Sequence, residues 1–276
     1  MLPAVVALVL VTLVPIAYGF YLSLTSYNPV QRGGPQFHGL DGYIQILGSG
    51  TFWNAVWVTV KYAVGTLLIA VPGALGLAML VNRTFAGVGF FRAIFYLPRV
   101  VPLVAVSMIW LWLYSHDGLF NYLLDIVGLP PVAFLTDQDT ALMSLIVMRA
   151  WKALGGGMII FLAGLQGIPQ ELLEAADVDG CGRFRKFQHV TLPLLVPITT
   201  YVIVVDLIYL AQSFAEIYIL TQGGPLRSTT VVNMLVYNEA FEHYRLGHAS
   251  AMAFVLFALI FALAYVNIRV LTRGDR

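Results

Sequence analysis

Residues 249–271 read ASAMAFVLFALIFALAYVNIRVL, an unbroken apolar stretch whose only charged residue is Arg269. A helix of about 20 such residues crosses the hydrocarbon core of a bilayer. In lipid, a helix is also the structure that satisfies all backbone polar groups within a single segment. The stretch therefore predicts a membrane-spanning helix.

Five further stretches of similar length and composition precede it, and we expect each to span the membrane. The first has no basic residues before its apolar part and no Ala-x-Ala cleavage motif, so we expect it to be retained rather than removed as a signal peptide. The expected fold class is all-α, a polytopic membrane protein with six transmembrane helices in one domain (1–276). The predicted spans are Leu2–Leu24, Trp53–Val81, Ala93–Tyr114, Thr140–Leu165, Leu194–Leu220 and Ala249–Leu271.

The composition excludes several classes of protein. Hydrophobic residues make up 59% of the chain and charged residues 11%, whereas soluble domains are about a quarter charged. The net charge of +1 argues against a nucleic-acid partner. The single cysteine, Cys181, excludes an intrachain disulfide framework or a zinc cluster, and no metal site is expected. No Gly-x4-Gly-Lys-Ser/Thr loop is present, and the triplet Gly155-Gly156-Gly157 is interpreted as a packing or kink feature of the fourth span.

The basic residues predict the orientation in the membrane. An even number of spans places both termini on one side, and cytoplasmic connections carry an excess of Lys and Arg. We therefore expect both termini to be cytoplasmic. The basic residues on the predicted cytoplasmic side are Arg83, Arg92, Arg183, Arg185, Lys186, Arg269, Arg273 and Arg276, against Arg32, Arg227 and Arg245 on the other side.

The long cytoplasmic connection, residues 166–193, contains a predicted short helix from Ile168 to Val178. Pro169 suits its first turn, and Gly180 can adopt the left-handed conformation that ends a helix. Such a helix fits a groove on another protein or the headgroup layer of the membrane, and its spacing favours neither. Its expected apolar stripe consists of Leu172, Leu173, Ala176 and Gly180.

The same connection resembles a known signature. Glu174-Ala175-Ala176, then Gly180, then Val190-Thr191-Leu192-Pro193 match the EAA motif of bacterial ABC importer permeases, with Val in place of the commoner Ile. Three other segments resemble the carbohydrate-uptake branch of these permeases, in particular its MalF/UgpA-type members. They are Gly87–Arg92 with Leu97-Pro98, Leu220–Pro225 and Ala249–Ala251.

This resemblance implies the type I ABC importer permease fold, in the bacterial cytoplasmic membrane, without enzymatic activity. The implied partners are a second homologous permease, two copies of a cytoplasmic ATPase and an extracytoplasmic substrate-binding protein. The ATPase would bind ATP and Mg²⁺, so no cofactor is expected in this chain. The EAA helix would dock into the ATPase: Glu174 would pair with it, Ala175 and Ala176 would permit close approach, and Gly180 would make the bend.

Several charged residues fall within or beside the predicted spans. At the bilayer centre each costs about 2.5–3.5 kcal/mol on insertion scales, so each should face protein or water. Lys61 and Glu216 lie nearer span ends, where structural pairing or snorkelling is expected. Arg99 is expected to snorkel to the cytoplasmic interface.

Arg149 and Lys152 lie near the middle of the fourth span on one face, and Asp206 lies at a similar depth in the fifth. They form either a substrate site or a buried ion pair that locks two helices together. The resemblance favours the site, which in that branch lies at mid-membrane on these helices, around Trp151. The predicted substrate-binding residues are Arg149, Lys152, Ala153, Gly156, Asp206, Tyr209, Leu210 and Ser213.

The external segment from Thr221 to Tyr244 contains a Gly-Gly-Pro turn. We expect this segment to dip toward the pore, with Gly223, Gly224 and Pro225 contacting the binding protein. The alternative is an ordinary solvated connection.

The expected function is import of a sugar, oligosaccharide or related polyol by alternating access. Two cations against one acid also admit an anionic substrate such as a glycerol phosphate. A proton-coupled secondary transporter, with Asp206 as relay, is a further alternative. A membrane-embedded enzyme would need a catalytic constellation that the spans lack.

Overall fold

The computed structural model describes residues 2–31, 33–83 and 85–272, and within them the protein is almost entirely helical. Three basic residues that entered the orientation argument, Arg32, Arg273 and Arg276, lie outside the described residues. The described residues form up to six spans, two of them bent, and two of the straight spans make the central helix pair.

The described residues up to Val81 form the first two spans and the connection between them. The connection contains a two-residue antiparallel strand pair, in which Thr25 opposes Phe37 and Ser26 opposes Gln36. The elements in order are α1 (Leu2–Leu8), a π-helical turn (Val9–Leu13), α2 (Val14–Ser23), β1 (Thr25–Ser26), β2 (Gln36–Phe37), α3 (Asp41–Leu47) and α4 (Gly50–Val81).

The third span is broken into two helices that meet at an angle of 96°. The prediction of one straight helix from Ala93 to Tyr114 is wrong in this respect. Pro102 lies at the break, and because proline has no N–H, it cannot donate the helical hydrogen bond to the Pro98 carbonyl. The elements of this region are α5 (Val88–Val100), α6 (Leu103–Leu113), α7 (Leu119–Ile126) and the uninterrupted fourth span α8 (Ala141–Gln166).

The fifth span is also irregular. It bends by 62° between Pro193 and Pro197, each in the first turn of a helix. The predicted span Leu194–Leu220 is too long, because its helix ends at Ala211 and the Gln212 carbonyl instead accepts a hydrogen bond from Asn233 Nδ2 at 2.7 Å. The elements are α9 (Gln170–Val178), α10 (Arg183–Lys186), a π-helical turn (Phe187–Thr191), α11 (Leu192–Leu194), α12 (Val196–Ala211), α13 (Ala215–Leu220), α14 (Val232–Tyr237), a π-helical turn (Asn238–Glu242) and α15 (Leu246–Thr272).

The predicted number of spans agrees with these helices. Four segments of the described chain are long and apolar enough to cross a membrane, and the two bent pairs, each counted as one span, bring the number to six. The four segments are Val5–Ser23, Gly50–Val81, Ala141–Gln166 and Leu246–Val266.

The centre of the protein is the contact between α4 and α8. A Cβ atom at Gly65 would lie 2.7 Å from Ile146 Cδ1, and one at Gly157 would lie 2.8 Å from Ala74 Cβ. Small residues let membrane helices approach closely, and this contact uses them on both sides. The middle of α8 is therefore held in place, and its other faces meet α5 and α12.

Gly155 provides the corresponding close approach on another face of α8. A Cβ atom there would overlap the Phe95 carbonyl oxygen and lie 2.9 Å from Tyr96 Cα. The interpretation of the glycine triplet as a packing feature is thus confirmed at Gly155 and Gly157. The C-terminal half of α5 rests directly on the middle of α8.

We predict that Gly155→Ala destabilises the protein by about 1–3 kcal/mol, because the added methyl group meets backbone atoms that cannot rotate away. Gly76→Ala is the matched control in α4, since nothing lies within 4 Å of a Cβ there. The measurement is the Tm of each purified variant in detergent, compared with the Tm of the wild type. An equal decrease in Tm for the two variants would contradict the proposed packing.

Candidate substrate and docking sites

Arg149 belongs to a buried network that joins α8, α13 and α4. Its Nε lies 3.6 Å from Glu216 Oε1, and only 1% of the Glu216 side chain is exposed. The same carboxylate oxygen accepts a hydrogen bond from the Tyr62 hydroxyl at 2.8 Å. The acid within ion-pair distance of Arg149 is therefore Glu216 rather than Asp206. This geometry favours the structural alternative for Arg149, whose role in substrate binding stays a prediction.

Lys152 is 5% exposed and points toward the break in the third span. Its Nζ donates to the carbonyl oxygens of Pro98 at 2.8 Å and Val101 at 2.6 Å. Two of the three N–H groups of its ammonium are thus used by backbone atoms. In this conformation, Lys152 supports the broken helix.

Four residues form an open polar surface where α5, α8 and α12 meet: Arg99, Gly156, Asp206 and Tyr209. We name it the central polar face. The Arg99 guanidinium lies 5.7 Å from the centre of the Tyr209 ring, and a Cβ atom at Gly156 would lie 3.4 Å from Arg99 Nε. Tyr209 is 54% exposed, so its ring is accessible to a ligand. Trp151, on the same helix as Gly156, is 40% exposed and packs against Trp110, with 5.4 Å between the ring centres.

Asp206 is half-buried on this face. Among the described residues, no basic side chain lies within 4.0 Å of its carboxylate. Asp206 lies three residues before Tyr209 on α12 and so shares the helix face whose Tyr209 ring meets Arg99. It forms no contact pair with Arg99.

The remaining three predicted substrate residues are buried in this conformation. Ala153 packs in a cluster with Ala70 and Ala150. Leu210 is 2% exposed, and the Ser213 hydroxyl donates to a backbone carbonyl, that of Tyr209, at 3.4 Å. These side chains support the walls around the central polar face, and their contact with substrate stays a prediction.

Arg99 is the residue that the sequence prediction missed. It was expected to snorkel to the cytoplasmic interface, because it lies near the start of an apparently straight span. The break after α5 instead places it against the middle of α8. The pair Pro98 and Pro102, spaced four apart, is the signal that could have indicated the break.

The predicted cytoplasmic helix is present as α9. It begins at Gln170 rather than Ile168, so that Pro169 is its N-cap and does not lie in its first turn. Gly180 adopts the expected left-handed conformation, with φ +71°. The Cys181 N–H donates to the Ala176 carbonyl at 2.9 Å, a hydrogen bond typical of a glycine-terminated helix. The chain therefore reverses sharply at the predicted residue.

The faces of α9 differ in part from the expected stripe. Ala176 is buried against its own chain, whereas Glu174, Ala175 and Gly180 are exposed. Leu172 is also largely exposed, at 45%. The exposed surface of α9 is thus free to meet another molecule.

The Gly-Gly-Pro segment is folded rather than slack. Gly223 has φ +80°, and its carbonyl accepts a hydrogen bond from the Thr230 hydroxyl at 2.8 Å. The Thr229 hydroxyl donates to the Gly224 carbonyl at 2.7 Å. Pro225 follows at the start of the exposed tip, where Arg227 reaches Thr51 Oγ1 at 3.2 Å. Contact with a binding protein stays a prediction for this segment.

Comparison with known families decides the identity. The family model of inner-membrane components of binding-protein-dependent transport systems matches residues 70–273. The chain belongs to this family. As an ABC transporter permease, it is a multi-pass protein of the inner membrane and a transport component rather than an enzyme, for which no cofactor is expected. The alternatives of a secondary transporter and a membrane enzyme are thereby wrong.

Two curated relatives and one solved structure are similar over nearly the whole permease. A probable ABC transporter permease of Sinorhizobium fredii, y4oQ, is 36% identical and covers 99% of this chain and 89% of its own. The trehalose/maltose transport system permease MalF of Thermococcus litoralis is 32% identical, with coverages of 98% and 91%. A bacterial ABC transporter that imports the acidic polysaccharide alginate has the same fold, with a TM-score of 0.85, 23% identity and coverages of 100% and 94%.

We predict that Arg149→Met lowers the yield of folded permease, because it leaves the Glu216 carboxylate buried and unpaired, at about 3–5 kcal/mol. Combining it with Glu216→Gln should restore much of the loss, because no unpaired charge then remains. Lys61→Met, at an exposed lysine on α4, is the control. Size-exclusion profiles after membrane extraction measure folded yield. A double variant as poor as the single one would contradict the pairing.

Proposed function

We propose that this permease moves a sugar, oligosaccharide or related polyol through the central polar face. The observation that carries this proposal is the combination of exposed aromatic rings and charged groups at the break of the third span. Tyr209 and Trp151 offer flat apolar surfaces for sugar rings, and Arg99 and Asp206 offer charge-assisted hydrogen bonds to hydroxyl groups. Interrupted helices are a common way to build a midplane site in transporters. Trehalose and maltose transport by the Thermococcus relative supports the same substrate class.

A specific observation favours an anionic substrate as the second candidate. Three cations, Arg99, Arg149 and Lys152, surround the region, against the two acids Asp206 and Glu216. Among the described residues, no oxygen accepts a hydrogen bond from Arg99, so its guanidinium is available for a bidentate contact with a phosphate or carboxylate. The alginate importer of the same fold carries an acidic polysaccharide.

The proposed assembly pairs this permease with a second homologous permease, two ATPase copies and an extracytoplasmic binding protein. The central polar face is open on one side, so a facing permease would enclose the substrate path. Closure of the ATPases would move α9 and thereby rock the spans between two orientations, exposing the face alternately to each side. The tip of the Gly-Gly-Pro segment, with Gly223, Gly224 and Pro225 at its base, would contact the binding protein.

Uptake by the reconstituted transporter tests the substrate class. Vesicles containing the permease with its partner subunits are supplied with maltose, trehalose or sn-glycerol 3-phosphate. We expect ATP-dependent uptake of a neutral sugar. Uptake of sn-glycerol 3-phosphate alone would favour the anionic candidate. Uptake of none of the three compounds would contradict both the sugar candidate and the anionic candidate.

We predict that Tyr209→Ala raises the KM of uptake by about tenfold, because it removes a stacking surface worth of order 1 kcal/mol and the neighbour of Arg99. Tyr265→Ala is the matched control. Tyr265 is exposed on α15, and Arg269 lies over its ring at 5.1 Å. Uptake kinetics measure the difference. Equal KM values for Tyr209→Ala and wild type would remove Tyr209 from the substrate path.

We predict that Glu174→Lys leaves the permease folded but abolishes substrate-stimulated ATP hydrolysis, because the exposed carboxylate on α9 is the expected ionic contact with the ATPase. Asp117→Lys is the control, since its side chain is 98% exposed in the predicted external connection. ATPase assays on the purified complex distinguish the two. Normal stimulation in Glu174→Lys would contradict docking through this residue.

A further inference from the structure

The break in the third span leaves carbonyl groups without their usual donors. In a continuous helix the Pro98 carbonyl would accept from the backbone N–H of residue 102, but Pro102 has none. Lys152 Nζ supplies the hydrogen bond instead, at 2.8 Å, and makes a second one to the Val101 carbonyl at 2.6 Å. The Lys152 side chain thus binds one carbonyl group before Arg99 in the sequence and one after it.

A second contact holds the same part of α5. Gly155 lies three residues after Lys152, on the same side of α8, and its lack of a side chain lets the backbone at Phe95 and Tyr96 rest on the helix. The last turns of α5 are therefore attached to α8 at two successive points. Between them, Arg99 projects past Gly156 to the ring of Tyr209.

We propose that Lys152 is a positioning residue, which replaces the missing N–H of Pro102 and thereby holds the Arg99 guanidinium in the substrate path. The inference rests on the proposed function, in which Arg99 binds substrate, and it departs from the expectation that Lys152 is itself a ligand. Its burial and its two backbone contacts leave little of the ammonium for a substrate. Arg99, in contrast, is half-buried and faces the open surface.

Cysteine labelling of the assembled transporter tests the position of residue 99 without a substrate. Cys181 is the single cysteine of this chain, so Cys181→Ser with Arg99→Cys leaves one thiol in the permease, at the end of α5, and labelling is measured on the separated permease subunit. A charged methanethiosulfonate reagent reports its accessibility. The rates are compared at a pH at which the thiol is fully ionised in every variant, so that they follow exposure rather than thiolate fraction. We expect Lys152→Met to change the labelling rate by about tenfold under these conditions. Lys152→Arg should stay within about twofold, because it keeps the donors.

Lys61→Cys in the same Cys181→Ser background is the matched control, because Lys61 is exposed on α4, away from the break. Its labelling should not respond to Lys152→Met. An unchanged rate for Arg99→Cys in the presence of Lys152→Met would overturn the proposal. If Lys152→Met fails to assemble, Lys152→Gln, which keeps a neutral donor, takes its place. If neither Lys152→Met nor Lys152→Gln assembles while Lys152→Arg assembles normally, the lysine supports the whole subunit. This result would also overturn the proposal.

Uptake kinetics separate positioning from direct binding. The probe is whichever of maltose, trehalose and sn-glycerol 3-phosphate the wild-type transporter takes up best. Lys152→Met should raise its KM by about tenfold, and adding it to Arg99→Ala should cause no further loss, since residues that act through one another are not additive. Additive losses would show that Lys152 contacts substrate itself and would overturn the proposal. If Arg99→Ala and Tyr209→Ala both leave uptake unchanged, the proposed substrate path fails, while the labelling result still decides the position of Arg99.

Discussion

The hydrocarbon core of a bilayer contains no water that could hydrogen-bond to a backbone carbonyl group. A helix can therefore stop inside a membrane only where another part of the protein, or a water-filled cavity, supplies the donor. Here the third span stops beside Lys152, whose ammonium group serves the Pro98 and Val101 carbonyls. The fifth span stops at Gln212, whose carbonyl accepts from Asn233. Both interruptions lie beside α8, and together they create the irregular surface on which Arg99, Asp206 and Tyr209 are grouped.

The membrane charges divide into two groups with different physical roles. Arg149 and Glu216 are almost fully buried and, with Tyr62, connect three helices. Arg99 and Asp206 are only half-buried and have no contact pair among the described residues. A buried pair must remain intact for the subunit to fold, whereas accessible charges can exchange water for a ligand. The same region of the protein thus contains a rigid buried ion pair and an accessible charged surface.

The fold could be predicted from the sequence wherever a local property decides it. Apolar length indicated the six spans, and the conformational freedom of glycine indicated the reversal at Gly180. The break at Pro102 could not be predicted with the same certainty, because membrane helices often tolerate proline when neighbouring groups satisfy the backbone. Here the group that satisfies the backbone is Lys152, which is fifty residues away from Pro102 in sequence. The structure shows the helix interrupted at this proline.

The same limit applies to the candidate site. Helical spacing correctly placed Arg149 and Lys152 on the same helix, α8, but spacing alone cannot assign their partners. Glu216 belongs to a separate helix, α13, which becomes a neighbour of Arg149 only because the fifth span ends early. Leu210 and Ser213 were expected beside the substrate because they follow Asp206 on the helix. Both side chains are buried in this structure, and their contact with substrate stays a prediction.

The length of α4 has a mechanical consequence. Its 32 residues extend about 48 Å at 1.5 Å per residue, whereas the hydrocarbon core is only about 30 Å thick. The helix must lean, project beyond the lipid, or do both. Its first turns contact α3 through Trp53, whose indole N–H donates to Leu47, and the Gly-Gly-Pro tip through Thr51 and Arg227. Because a long helix tilts more in a thinner bilayer, the thickness of the lipid, together with the packing of α4 against its neighbours, influences the angle at which this outer surface is presented.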